Sequence, residues 1–389
     1  MTATRAAAVS CPPVATVGII GGGQLARMTH QAAIALGVDL RTLTPRATDP
    51  AVLAGAAHHR GDHHDLEALL AFAEGCDVIT LDHEHTPPAL LRAVAEAGHR
   101  VRPRPDTAVF ASDKSHARRA LAAAGLPVPA FVEAERGDIG AVAAFARDHG
   151  WPVVLKAPTG GYDGRGVEIV TGPAALEASR LASASPRWLI EAAVPIAVEL
   201  AVLVARRPSG WWTTYPVIET DQRGGICREL VLPARIPSGV AHRATSLAVS
   251  IADGIDAAGI LAVELFLTPG GDLVVNEVAT RPHNSGHATI DAAATSQFEN
   301  HLRGVLDWPL GATDLLAPAA ATVNVLAPAH PIDLRTTVPK AIEDPTVHVH
   351  LYRKEPRPGR KLGHVTCLAS DPGTALTAAR RAAATLIAP

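Results

Sequence analysis

Two glutamates in one short stretch could share a cation. The segment AVELFLTPGGDLVVNEVATRPHNSGH, residues 262 to 287, reads as two apolar strands joined by a Thr268-Pro269-Gly270-Gly271 turn. Laid antiparallel, these strands bring Glu264 and Glu277 to one place, with Asn276 beside them. Such a hard oxygen set suits Mg²⁺, which is held by one or two carboxylates together with substrate phosphates. The alternative is a pair of surface acids pointing to solvent from separate strands. Arg281, His283, Asn284, Ser285 and His287 follow directly, spaced by Pro282 and Gly286, and this is loop rather than core chemistry.

A second group lies upstream. Lys156 ends a short apolar strand and is followed by Thr159-Gly160-Gly161-Tyr162-Asp163-Gly164-Arg165-Gly166. Glycine backbone can approach phosphate closely, and the lysine supplies a point charge. No Gly-Lys-Ser/Thr follows and the next segment reads as a strand, so this is not a Walker A loop. An ordinary glycine-rich hairpin turn is the other reading. Further on, backbone groups at Glu191, Ala192, Ala193 and Val194 could pair with a base, and Glu199 could accept from ribose hydroxyls.

These groups need a scaffold, and the chain order supplies one. Val14 to Ile20, Gly21-Gly22-Gly23 and an apolar period through Leu36 predict strand, glycine turn and helix. Gly21, Gly23 and Ala26 match a dinucleotide fingerprint, but the second strand, 38 to 43, ends in Thr44-Pro45-Arg46 rather than an acid for ribose. Helices at 66 to 73 and 87 to 97 and strands at 77 to 81 and 100 to 102 complete a parallel sheet, with Glu84 just past a strand's carboxyl end as a candidate substrate contact. The histidines at 58, 59, 63, 64, 83 and 85 lack the spacing of a metal site and read mostly as surface.

Pro103-Arg104-Pro105 marks a boundary, after which Ser112 is the expected N-cap of a helix to Ala124. The next expected elements are a helix at 139 to 149, strands at 152 to 157, 167 to 170, 188 to 191, 197 to 205, 211 to 219 and 228 to 236, and helices at 174 to 182 and 243 to 257. The tail carries strands at 322 to 326, 347 to 351 and 364 to 369, a helix at 375 to 387, and one dense basic run, Tyr352 to His364. Lys354, Arg357, Arg360 and Lys361 in that run could hold a phosphate monoester.

At 389 residues the chain has room for two or three cores. Apolar residues at 48% against 19% charged exclude a disordered chain, and a net charge of −3 gives no electrostatic footprint for nucleic acid. Cys11, Cys76, Cys227 and Cys367 are far apart, which fits a reducing cytoplasm better than a disulfide framework. No stretch has the ~20 apolar residues of a membrane span, and residues 1 to 13 read as a frayed leader.

In order, Lys114, Lys156, the glycine loop, Glu191 with Glu199, and Glu264 with Asn276-Glu277 resemble the parts of an ATP-grasp carboxylate-amine ligase. Within that superfamily the chain resembles the N5-carboxyaminoimidazole ribonucleotide synthase family of purine biosynthesis. The resemblance rests on GGGQLARM at 21 to 28, ASDK at 111 to 114, GGYDGRG at 160 to 166, NEVATRPHNSGH at 276 to 287, SQFENHLR at 296 to 303 and KEPRPGRKLGH at 354 to 364.

It implies an α/β protein with a Rossmann-like domain at 14 to 110, an ATP-grasp domain at 111 to 312 with a mobile lid near 115 to 190, and a small α/β domain at 313 to 389. It also implies that ATP phosphorylates bicarbonate to carboxyphosphate, which the amine of 5-aminoimidazole ribonucleotide captures. ATP would be held by Lys114, Lys156, Gly161, Tyr162, Asp163, Gly164, Arg165, Gly166, Glu191, Ala192, Ala193, Val194, Glu199, Gln222, Asn276 and Glu277. Glu264 and Glu277 would hold Mg²⁺, and Arg281, His283 and Asn284 would line the bicarbonate position. Glu84, Tyr162, Arg165, Lys354 and Arg360 would contact the ribonucleotide, in a cytoplasmic homodimer.

Gln222 departs from the histidine many relatives carry near the nucleotide. The nearest rival is a formate-dependent glycinamide ribonucleotide transformylase, whose corresponding run resembles Arg-Pro-His-Asp-Thr-Gly where this chain has Arg281-Pro282-His283-Asn284-Ser285-Gly286. A nucleotide-binding protein without turnover is the other alternative, against which the retained Glu264, Glu277 and Lys156 count.

Overall fold

A computed structural model describes residues 13–161, 166–179 and 186–389. Most of the expected leader therefore lies outside the described residues, as do Tyr162, Asp163, Gly164 and Arg165 of the glycine loop. Among the described residues, strands form three sheets.

The first sheet is parallel, in the order Ala57–Arg60, Val38–Thr44, Ala15–Ile20, Val78–Leu81. Two of its strands, Ala15–Ile20 and Val78–Leu81, are short apolar runs buried throughout, and crossover connections between successive strands give the parallel pairing, while the edge strand Ala57–Arg60 is polar. Val101 adds only an isolated bridge to Ile79, so the short strand expected at 100 to 102 does not form. The second sheet carries Phe131–Glu135, Arg187–Ala192, Val153–Lys156 and Val167–Val170, all paired antiparallel.

The third and largest sheet begins with the expected hairpin. Leu273–Ala279 pairs with Gly259–Leu267, which pairs with Val198–Arg206. Gly259–Leu267 is buried almost throughout because helix Ser238–Gly254 covers one face and Gln297–Val305 lies against the other. That explains its run of apolar residues where a half-exposed strand would alternate. Ile218–Arg223 and Ile226–Leu232 follow, and Ala319–Leu326, Lys361–Ala369 and Val347–Leu351 then continue the same sheet. The carboxyl-terminal strands are thus joined to the central ones by backbone hydrogen bonds.

Several local expectations change. The strand expected at 211 to 219 splits into Trp212–Thr214 and the start of Ile218–Arg223, because Pro216 lies between them and has no N–H for a ladder. Ser112 ends helix Pro105–Ser112, and Asp113 caps the next helix, Lys114–Ala123, by accepting from His116 N–H at 2.9 Å. Helix Pro173–Glu177 is shorter than expected. Gln297–Val305 and Leu334–Ala341 are helices absent from the sequence reading. No helix among the described residues is long and apolar enough to cross a membrane.

Candidate active site

The hairpin places its two carboxylates opposite each other. Glu264 is the cross-strand partner of Glu277, and the register slips immediately afterwards, so that Leu265 faces Val275 and Asn276 is the extra residue of a bulge. The Asn276 amide turns toward Glu264 and donates to its Oε2 at 3.2 Å. Asn276 Oδ1 accepts from Lys156 Nζ at 3.2 Å, and Glu277 Oε2 accepts from Lys114 Nζ at 3.0 Å. Three segments far apart in sequence converge on one bulge.

The two carboxyls are not equivalent. Burial and the negative charges of Glu277 and Glu199 push Glu264 up. Burial opposes the charge of Glu277 as well, but Lys114 and Lys156 outweigh it and hold that carboxyl low. Glu277 keeps 44% of its side chain open, so this is a cleft floor rather than sealed core.

Beneath the cleft lies a buried ion-pair cluster. Lys156 Nζ sits 2.8 Å from Glu191 Oε2, and Arg118 Nε donates to Glu191 Oε1 at 2.7 Å. Arg118 also donates to the carbonyls of Val275 and Asn276 at 2.8 and 2.7 Å, tying helix Lys114–Ala123 to the bulge. The Glu191 side chain is thus committed to two cations, and the Ala192 N–H donates to Ala130 O at 2.9 Å. Ala193 and Val194 follow outside any strand, half-buried.

Glu199 stands on the neighbouring strand, where burial and Asp221 push it up to about 7. Its Oε2 is buried and has no hydrogen-bond partner among the described residues. Gln222 lies half-buried at a second bulge, beside Asp221.

The loop after the hairpin is clamped from behind. Gln297 accepts from His283 N–H at 2.9 Å and donates to His283 O at 2.7 Å, and a side chain at Gly286 would meet Gln297 at 2.5 Å. His283 Nδ1 lies 2.9 Å from Ser285 Oγ and accepts from Ser285 N–H at 3.3 Å, and its Nε2 lies 3.6 Å from Glu264. Burial and the Arg281 charge push His283 down to about 4, so the ring is neutral at pH 7. Arg281 pairs with Glu84, in the loop that follows strand Val78–Leu81. Arg281 Nε and both amide atoms of Asn284 are buried without hydrogen-bond partners among the described residues, and the Cys227 thiol lies beside the Asn284 amide.

The tail closes the other side. Lys354 Nζ reaches Gln24, the first residue of helix Gln24–Leu36, and lies 5.6 Å over the Tyr352 ring. Lys361 is buried and its charge acts on His283 and His287, while Arg360 is half-buried and donates to Glu355 O at 3.2 Å.

The dinucleotide reading fails on geometry. Asp82 accepts from Gly23 N–H at 2.6 Å and Ala26 N–H at 3.0 Å, so a carboxylate of the chain itself fills the helix N-terminus where a pyrophosphate would sit. A side chain at Gly23 would meet Asp82 Oδ2 at 2.7 Å, which explains the glycine.

Of the expected residues, Glu84, Lys114, Lys156, Glu191, Asn276, Glu277, Glu264, Arg281 and His283 are linked by the contacts above. Arg118, Gln297 and Gln24 were missed. Only Gln297 carried a local signal, since Ser296 and Glu299 form the S-x-x-E pattern of a helix start and Ser296 does accept from Glu299 N–H at 3.2 Å.

Family comparisons agree with this layout. Residues 14–111 match the ribonucleotide synthetase preATP-grasp domain, 119–298 the ATP-grasp domain, and 320–378 the phosphoribosylaminoimidazole carboxylase C-terminal domain. The chain is 45% identical over 379 residues to the N5-carboxyaminoimidazole ribonucleotide synthase of Mycobacterium tuberculosis (strain ATCC 25618 / H37Rv), covering 95% of this chain and 87% of that one. It is 39% identical to the Synechococcus elongatus synthase, covering 92% and 91%. Among solved structures, the Aspergillus clavatus N5-carboxyaminoimidazole synthase in complex with ADP and 5-aminoimidazole ribonucleotide superposes with a TM-score of 0.88 at 29% identity, covering 96% of this chain and 98% of that one. With its three family domains in sequence and relatives matched over nearly the full length, the chain belongs to the N5-carboxyaminoimidazole ribonucleotide synthase family of ATP-grasp ligases.

Proposed function

We propose that the protein uses ATP to activate bicarbonate and transfers the carboxyl group to the amine of 5-aminoimidazole ribonucleotide, giving N5-carboxyaminoimidazole ribonucleotide, ADP and phosphate. The observation that carries this reading is the bulge at Asn276, where two opposed glutamates meet Lys114 and Lys156 a few residues from the buried, unpartnered Arg281 Nε and Asn284 amide.

Lys114 and Lys156 bind the polyphosphate, exchanging carboxylate and amide partners for phosphate oxygens. Glu199, whose buried Oε2 lacks a donor, accepts from the ribose hydroxyls, and backbone at Ala193 and Val194 pairs with the base. Glu264, Glu277 and the Asn276 amide oxygen form an oxygen donor set that fits magnesium, since two mutually repelling carboxyls gain from a dication. Held by these residues, magnesium would supply positive charge that offsets the charge on a transferring phosphoryl group.

A bicarbonate oxygen attacks the γ-phosphorus and ADP leaves. Arg281 and Asn284 orient the resulting carboxyphosphate through the donors that have no partner in the ligand-free cleft. The amine nitrogen then attacks the carboxyl carbon, phosphate departs with one oxygen from bicarbonate, and the amine loses a proton. Neutral His283 presents its Nε2 to Glu264 and serves as a hydrogen-bond donor rather than a cation. Lys354 and Arg360 take the ribonucleotide phosphate, and Glu84 holds Arg281 in place. A lid near 115 to 190 excludes water during the reaction, and the protein works as a homodimer, which light scattering reads directly.

Freshly dissolved ¹⁸O-bicarbonate tests the route. Phosphate carrying one bicarbonate oxygen per turnover is expected; unlabelled phosphate alongside carboxylated product would rule out the carboxyphosphate step.

A further inference from the structure

A second set of ligating side chains meets at the carboxyl end of the parallel sheet. Ala57–Arg60 and Val78–Leu81 are its two outer strands, yet the loops that follow them converge. The His63 and His83 rings lie 4.7 Å apart, edge to face, and His83 is 5.1 Å from His85. The first loop is fixed at both ends. A side chain at Gly61 would meet Leu43 at 2.6 Å, and Asp65 caps helix Leu66–Ala73 by accepting from Glu67 and Ala68 N–H.

Between those anchors stand Asp62, His63 and His64. Asp62 Oδ1 is 3.6 Å from His63 Nδ1 and 3.1 Å from His64 Nδ1, and one ligand atom from each residue lies within 4.8 Å of the other two. Ligands bound tetrahedrally at about 2.0 Å from a zinc-sized ion are roughly 3.3 Å apart, so little rearrangement is needed. We propose that Asp62, His63 and His64 form a binding site for a divalent transition metal of the zinc, cobalt or nickel kind.

Two imidazoles and one carboxylate on one side of the ion leave positions open on the other, a donor set that prefers these metals to magnesium. It is therefore chemically separate from the all-oxygen pair Glu264 and Glu277. His83 forms a wall against the His63 ring and directly precedes Glu84, the partner of Arg281. An ion here would order the loop that holds Arg281 from behind. Asp62 also accepts from the His64 backbone N–H at 2.9 Å, which holds the carboxylate beside that ring.

Cobalt(II) titration of the metal-free full chain, without nucleotide, tests the site. A visible ligand-field band saturating at one ion per chain is expected, displaced by zinc and not by magnesium. Asp62→Asn and His64→Ala, both at exposed positions, should each weaken binding by about tenfold or more, while His348→Ala, which alters a histidine elsewhere, leaves it unchanged. Circular dichroism establishes that the variants are folded. A wild-type protein with no saturable band, or a band retained unchanged in both ligand variants, would overturn the proposal.

Discussion

Lys114 Nζ lies 3.0 Å from Glu277 Oε2, joining the first residue of helix Lys114–Ala123 to the second strand of the hairpin. The pair keeps an acid ionised in a position that burial alone would neutralise. Replacing Glu277 by Gln removes the charge and keeps the shape. Magnesium-dependent ADP formation should fall by about 10²–10³-fold, the scale for losing a charge-stabilising group in a closed site. Circular dichroism should show an intact fold.

Arg118 is a test of stability rather than chemistry. It pairs with Glu191 and donates to two carbonyls at the bulge, with only 4% of its side chain exposed. Arg118→Met leaves Glu191 with Lys156 alone, and removing one partner of a buried ion-pair cluster costs about 3–5 kcal/mol. Urea denaturation should show the loss as a lower midpoint.

Gln297 touches no expected ligand position yet holds the loop that does. Gln297→Ala leaves His283 N–H and C=O unpaired, at about 1–3 kcal/mol for each buried group. Because the clamp positions His283 and Asn284, kcat should fall several-fold while the ADP dissociation constant, set by the lysines and Glu199, changes little. Steady-state kinetics combined with calorimetric ADP titration separates the two.

Glu199 predicts a pH dependence. Burial and Asp221 raise its carboxyl to about 7 in the folded protein, above the ordinary carboxylate range. Between those values the folded state binds a proton that the unfolded state has released, so the contribution to stability is full in acid and is lost as pH rises through about 7. Ligand-free Glu199→Gln should therefore gain thermal stability relative to wild type between pH 5 and pH 8. Ionised Glu199 is the better acceptor for ribose hydroxyls, so ADP affinity should be higher at pH 8 than at pH 6. The variant should flatten that difference in calorimetry.

Much of this could be read from residue order because it is local. Thr268 to Gly271 and the flanking apolar strands specify the hairpin and bring Glu264 and Glu277 to one end of it, though an unbroken register would set Glu264 across from Asn276. The slip at Asn276 was not legible: a bulge is set by what the strands pack against, here Arg118 donating to the carbonyls of Val275 and Asn276. Arg118 itself looks like any helix arginine until the fold brings it 2.7 Å from Glu191, which is 73 positions away. Gly21, Gly23 and Ala26 matched a fingerprint that the absence of an acid after the second strand counted against, and the group that fills their helix terminus is Asp82, just past strand Val78–Leu81. Local pattern reports turns and periods, and it is silent on which distant charge completes them.

The most direct measurement is phosphate release from ATP and magnesium with each substrate pair in turn. Release that requires bicarbonate and 5-aminoimidazole ribonucleotide together, at a rate equal to carboxylated product formation, is the predicted result. Equal stimulation by formate with glycinamide ribonucleotide, or no stimulation by either pair, would contradict it.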